Sequence, residues 1–121
     1  MSLRDWFWWL PFGKVPEVKP EALHRQLDAG DIQLVDVRTR KEWRGGHIRG
    51  AINVPITEFR GRLDERDLDP ERPVVAICLS AHRSIPAVRL LKRRGFARSS
   101  QLAGGMLAWR KAGLPEEREG G

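Results

Sequence analysis

The chain's one cysteine, Cys78, stands where the apolar run Pro73-Val74-Val75-Ala76-Ile77 gives way to Leu79-Ser80-Ala81-His82-Arg83-Ser84 and then to a helix-like stretch. A thiol at a strand end facing a helix N-terminus meets backbone N–H donors and the positive end of the helix dipole, and both favour the thiolate. Arg83 adds a fixed cation. Such a thiolate is a nucleophile, and the short loop of amides behind it can act as a nest for the negative charge that the reaction leaves on sulfur. A lone free cysteine is more often a small buried hydrophobe. The polar company of Ser80, His82, Arg83 and Ser84 at a strand-to-helix turn weighs against that reading here.

The elements that hold this loop are legible from pattern. Glu21 to Leu27 has the helical spacing of Leu23 and Leu27 and stops at Ala29-Gly30. Ile32 to Val37 reads as a buried strand, and Thr39-Arg40-Lys41-Glu42 as a capping box that starts a short helix through Trp43, ended by Gly45-Gly46. Ala51 to Val54 is a second short strand closed by Pro55, and Thr57 to Asp67 a broken, partly amphipathic helix or loop. Val74 to Cys78 is the clearest strand. A helix from Ser84 to Arg94 follows it, with Pro86 in its first turn and Gly95 as its stop. Gln101 to Ala103 forms a last strand, and Met106 to Ala112 a closing helix. Short buried strands alternating with helices imply an α/β fold with a mostly parallel sheet covered on both faces. Ligands in such folds sit at the carboxyl ends of the strands, where Asp36, Arg38 and Cys78 would share one rim.

A chain of 121 residues is one domain. One cysteine excludes an intramolecular disulfide, and the scattered His24, His47 and His82 show no zinc spacing, so no metal or cofactor is expected. Twenty-two Lys and Arg against 16 Asp and Glu give a net charge of +6, a diffuse excess that attracts anions. Lys92-Arg93-Arg94 sits where helix C-termini gather cations, and no aromatic and basic platform is visible inside the domain, so a nucleic-acid partner is not expected. Trp6, Phe7, Trp8, Trp9 and Phe12 place five of the nine aromatics in the first twelve residues. That run is far shorter than the ~20 apolar residues of a membrane span. Packing on its own domain or a homodimer contact ranks ahead of a membrane-interface role, and a cytoplasmic location is expected.

Asp36-Val37-Arg38, Glu42-Trp43 and Gly46-His47-Ile48-Arg49-Gly50-Ala51-Ile52-Asn53-Val54-Pro55 together resemble the rhodanese-homology family. The likeness continues through Cys78-Leu79-Ser80-Ala81-His82-Arg83-Ser84, similar to that family's active-site loop. It ends in Leu102-Ala103-Gly104-Gly105-Met106-Leu107-Ala108-Trp109 with Ala112-Gly113-Leu114-Pro115. The resemblance implies a single α/β domain over residues 18–115 with a five-stranded, mostly parallel sheet flanked by helices on both faces. It leaves residues 1–17 as an aromatic leader and 116–121 as a charged tail expected to fray. It also implies a thiosulfate sulfurtransferase that carries sulfane sulfur as a persulfide on Cys78. The donor would be a small sulfur anion, and the acceptor a thiol, a protein or, in an assay, cyanide.

On that resemblance the amides of Leu79 to Arg83 hold the sulfur's charge, and the Arg83 side chain braces the loop through Asp36. Ser80 and His82 face the mouth, Ser84 caps the helix, and Arg38 either attracts an anionic donor or forms a structural ion pair. Glu42 and His47 are read as structural, and Trp43 and Trp109 as core aromatics. One departure stands out, since Ala81 occupies a position where many active members carry Gly, and a Cβ there disfavours the left-handed backbone by roughly 1 kcal/mol or more. The rival reading of a cysteine-dependent phosphatase needs five residues between Cys and Arg, whereas Cys78 and Arg83 are separated by four. A partner-fed persulfide carrier or interaction module with little free activity is the alternative from a different functional class.

Overall fold

The computed structural model describes residues 13–119, so residues 1–12 of the expected 1–17 leader, with the aromatics Trp6 to Phe12 and the roles expected of them, lie outside the described residues, while Glu17 at its end belongs to the first strand. In chain order the elements are β1 (Glu17–Val18), α1 (Pro20–Asp28), β2 (Gln33–Asp36), α2 (Arg40–Gly45), β3 (Ile52–Asn53) and α3 (Ile56–Arg62). A 3-10 turn (Leu63–Glu65), β4 (Val74–Ile77), α4 (Ser84–Arg93), β5 (Ser99–Leu102) and α5 (Gly105–Lys111) complete it. The strands form one parallel sheet in the order β1-β5-β4-β2-β3. The expected five-stranded α/β architecture is therefore the one observed.

Side chains alternate across this sheet with the two-residue period of a strand, and both faces are dry. Val74, Ala76 and Cys78 of the central strand and its extension join Val35, Val37, Phe59, Val88 and Leu91 under α3 and α4. Val75 and Ile77 join Leu34, Leu23, Met106 and Trp109 under α1 and α5 on the other face. Cys78 thus leaves the sheet already committed to the α3/α4 side.

The strand absent from the sequence reading is β1, two residues set between Pro16 and Pro20. Its pairing is long-range, with Gln101 N–H donating to Pro16 O (2.9 Å) and Ala103 N–H to Val18 O (2.9 Å). A sheet edge tolerates prolines on its unpaired side. The region from Thr57 to Asp67 resolves into α3 and the 3-10 turn, which bury Phe59 and Leu63.

The tail is paired over its described part. His47 and Glu117 exchange backbone hydrogen bonds of 2.9 and 2.8 Å, Glu119 N–H donates to Arg44 O (3.1 Å), and Arg110 pairs with Glu116 (3.0 Å). Trp43 is only half-buried, stacking on the His47 ring at 4.0 Å and donating from Nε1 to Ala51 O (3.1 Å). Among the described residues no helix is long and apolar enough to cross a membrane.

Candidate active site

Cys78 follows β4 at the carboxyl edge of the sheet and is 1% exposed. Among the described residues the amides of Leu79, Ser80, Ala81 and His82 have no backbone acceptor, which leaves a run of donors in the loop that follows the sulfur. Ala81 has φ +72°, the one positive φ outside glycine among the described residues. Alternation of right- and left-handed backbone is what turns successive N–H groups toward one concavity.

The strain at Ala81 yields a prediction. Glycine is indifferent to that backbone region, whereas alanine loses about 1–2 kcal/mol there and gains back only about 0.4–1 kcal/mol from a less disordered unfolded chain. Ala81→Gly should therefore keep or slightly raise the melting temperature. A clear drop, the usual result of adding glycine, would show that the loop gains nothing from relief at this residue.

The carbonyls of the same segment are held by α5. Met106 N–H donates to Cys78 O (2.8 Å) and Leu107 N–H to Leu79 O (3.0 Å). This approach is close enough that a Cβ on Gly105, whose φ is +61°, would lie 2.5 Å from the Leu79 carbonyl carbon and closer still to Cys78 O. The Gly104-Gly105 pair thus serves the cysteine loop from a distant part of the sequence.

Arg83 does brace the loop, but not through Asp36. It clasps Glu42 with two charge-assisted hydrogen bonds, Nη1 to Oε1 at 2.6 Å and Nη2 to Oε2 at 2.9 Å. Glu42 also closes the expected capping box, accepting from Thr39 N–H at 3.0 Å while its own amide donates to Thr39 Oγ1 at 3.2 Å. One carboxylate therefore fixes the start of α2 and the end of the cysteine loop together. Glu42 holds the Arg83 proton more tightly than usual, and Cys78 and Asp36 add smaller electrostatic contributions.

Asp36 is instead the partner of Arg38. The pair is buried on both sides, with Arg38 Nη2 donating to Asp36 Oδ2 (2.7 Å) and to Gly46 O (2.7 Å). Arg38, at 1% exposure, forms the ion-pair alternative of the sequence reading. With Asn53 Nδ2 donating to the carbonyls of Asp36 (3.0 Å) and Arg38 (2.9 Å), it locks the ends of β2, β3 and α2 beside the site.

The Arg83 clasp lowers the Glu42 carboxyl from 4.5 to about 2, the bond to Arg83 outweighing the cost of partial burial. A carboxyl depressed in the folded state stabilises fully above its unfolded value and loses that contribution as pH falls through its folded value. The stability advantage of the wild type over Glu42→Gln should therefore be constant above about pH 4.5, shrink below it and vanish near pH 2. Urea midpoints of the two proteins across that range measure it. An advantage that survives at pH 2 would exclude the charged clasp as its source.

Ser84 is not a helix cap. It is the first residue of α4, fully buried, and its hydroxyl donates to Gln101 Oε1 at 2.6 Å while lying 3.5 Å from Cys78 Sγ. Gln101, a site residue not recognised in the sequence, donates from Nε2 to Glu17 Oε2 at 2.9 Å. Ser80 and His82 are exposed and joined through Ser80 Oγ and His82 Nδ1 at 3.0 Å. Beside them opens a depression of about 490 Å³ lined by residues including Lys14, Glu17, Ala81, His82, Ile85 and Gln101. No cluster of three or more His, Cys, Asp or Glu is placed to hold a metal among the described residues.

A family model described as Rhodanese-like domain matches residues 19–112. The chain is 45% identical over 95 residues to a protein named as an HTH-type transcriptional regulator of Mycobacterium tuberculosis, covering 77% of this chain and 41% of that one. It is 37% identical over 102 residues to a protein named Sulfurtransferase from Allochromatium vinosum, covering 84% and 94%. It thus spans less than half of one relative and nearly all of the other. The crystal structure of a rhodanese-related protein from Thermoplasma volcanium superposes with a TM-score of 0.78 at 27% identity, over 87% of this chain and 100% of that one. Strands β2 to β5, the Arg83–Glu42 clasp and the whole Cys78 loop fall inside the matched stretch, and the chain belongs to the rhodanese-like domain family.

Proposed function

We propose that this protein is a sulfurtransferase that accepts sulfane sulfur from thiosulfate onto Cys78 and hands it to a thiophilic acceptor. The observation that carries the reading is the setting of Cys78: a thiol at the end of the central strand, followed by four amides without a backbone acceptor among the described residues and an arginine clasped to the neighbouring helix. In the first half-reaction the Cys78 thiolate attacks the outer sulfur of thiosulfate. A Cys78 S–S bond forms, the S–SO3 bond breaks, and sulfite leaves with the electron pair. In the second, cyanide or a thiolate attacks the terminal sulfur of the persulfide, and the Cys78 thiolate departs with the electrons of the S–S bond.

The loop amides serve both halves, because the charge resides on sulfur before attack and again on the persulfide. Arg83 adds positive potential without donating a proton. The likeness to the Allochromatium vinosum sulfurtransferase over nearly its whole length supports the same reading.

Intact mass spectrometry before and after thiosulfate, followed by thiocyanate release on adding cyanide, tests it. A gain of one sulfur, lost to cyanide and regained over repeated turnovers, is the expected result. The exposed Ser80–His82 rim supports a second reading, a carrier loaded by a partner protein's persulfide. A folded protein that takes no sulfur from thiosulfate but takes it from a persulfide-bearing protein would replace the first reading with the second.

A further inference from the structure

The chain of contacts behind the sulfur, buried at Cys78, Ser84 and Gln101, has a direction. Glu17 presents a carboxylate, which only accepts, so the group of Gln101 facing it must be the amide NH2 at Nε2. Gln101 Oε1 is thereby turned toward Ser84, and a carbonyl oxygen also only accepts, so Ser84 commits its single hydroxyl proton to it at 2.6 Å. What Ser84 offers Cys78 Sγ at 3.5 Å is then a lone pair. A lone pair accepts an S–H proton, but it repels the negative sulfur on which both half-reactions depend.

We propose that Glu17 and Gln101 are positioning residues that restrain Cys78 by holding the Ser84 hydroxyl proton away from its sulfur. Turning that proton toward an anionic sulfur breaks the bond to Gln101 and leaves a buried carbonyl oxygen without a donor, because Gln101 is 4% exposed. The restraint is anchored outside the site, on the exposed Glu17 of the edge strand β1. Releasing the amide lets Gln101 reverse, so that Nε2 donates to Ser84 Oγ and the Ser84 proton is free for the sulfur. The inference rests on Cys78 being the reacting atom proposed above.

The rate of alkylation of Cys78 by iodoacetamide at neutral pH reads this directly and needs no sulfur donor. Glu17→Gln offers an oxygen as well as an amine to Gln101 and so permits the reversal. Gln101→Met removes the acceptor without altering any charge. Each should raise the rate roughly three- to tenfold, the worth of one hydrogen bond to a charged group after its competing bond is lost. Placed on Ser84→Ala, neither substitution should change the rate, because the effect passes through that hydroxyl.

A rate unmoved by Gln101→Met in a protein with wild-type circular dichroism overturns the proposal. So does an equal acceleration by Glu17→Gln in the Ser84→Ala background, which would mean that the carboxylate acts through space. If Ser84→Ala does not fold, added salt makes the distinction. An acceleration by Glu17→Gln that fades with ionic strength is a screened charge effect and overturns the relay, and one that persists supports it. Thiosulfate loading of the same proteins fails separately if the sulfurtransferase reading is wrong, whatever the alkylation rates do.

Discussion

Cys78→Ser is expected to abolish sulfur loading altogether, leaving the mass unchanged after thiosulfate and thiocyanate release at background. No other residue can substitute, because Cys78 is the chain's one thiol and a serine hydroxyl forms no persulfide. The substitution should leave the fold in place. Serine nearly matches cysteine in volume, and although the position is 1% exposed, the Ser84 hydroxyl 3.5 Å away gives the new hydroxyl a partner. A buried hydroxyl with a hydrogen bond avoids most of the roughly 1–3 kcal/mol that an orphaned one costs. Thermal unfolding of the serine variant therefore separates lost chemistry from lost structure. Residual transfer in a cleanly folded serine variant would place the sulfur somewhere other than Cys78.

The second large effect is expected far from Cys78 in sequence. Gly105→Ala puts a Cβ against backbone, at 2.5 Å from the Leu79 carbonyl carbon, in a residue held at φ +61°. Neither Cys78 O nor Leu79 C can retreat as a flexible side chain would, since both belong to the loop that α5 clips in place. Overpacking of a rigid site costs about 1–3 kcal/mol and the left-handed backbone adds about 1–2 kcal/mol for a residue with a Cβ. A destabilisation of about 3 kcal/mol or more is therefore expected from urea unfolding. Sulfur loading should fall with it, because relief of the clash displaces the carbonyls of Cys78 and Leu79. Gly113→Ala is the control: its φ is +72° but nothing lies within 4 Å of the new Cβ, so it should show the backbone cost alone. Equal losses at the two positions would mean that the contact with the loop contributes nothing.

These residues show which parts of the molecule a sequence displays. The Thr39–Glu42 box and the β4-to-Cys78 transition are local patterns, and both occur in the structure within a residue of where the sequence puts them. Arg83's partner was hidden because Glu42 was already explained by its capping box, and the second use of the same carboxylate comes from 41 positions away. Ser84 has the residue type of a cap and the position of a helix start, yet its hydroxyl turns inward because Gln101 lies on the neighbouring strand β5. Nothing local marks β1 either, since a two-residue edge strand between prolines exists only through its pairing with β5. Each of these depends on which strands the topology makes neighbours, and a periodicity of two or 3.6 carries no record of that.

The clip between α5 and the cysteine loop also sets an order of events during synthesis. The thiol is polymerised before Met106 and Leu107, whose amides hold the carbonyls of Cys78 and Leu79. A growing chain therefore contains Cys78 for some time before it contains the helix that shapes the surrounding backbone. Until α5 is made, the carbonyls of Cys78 and Leu79 lack the two amides that hold them in the finished fold. Completion of α5 is what supplies the last part of the backbone frame around the thiol.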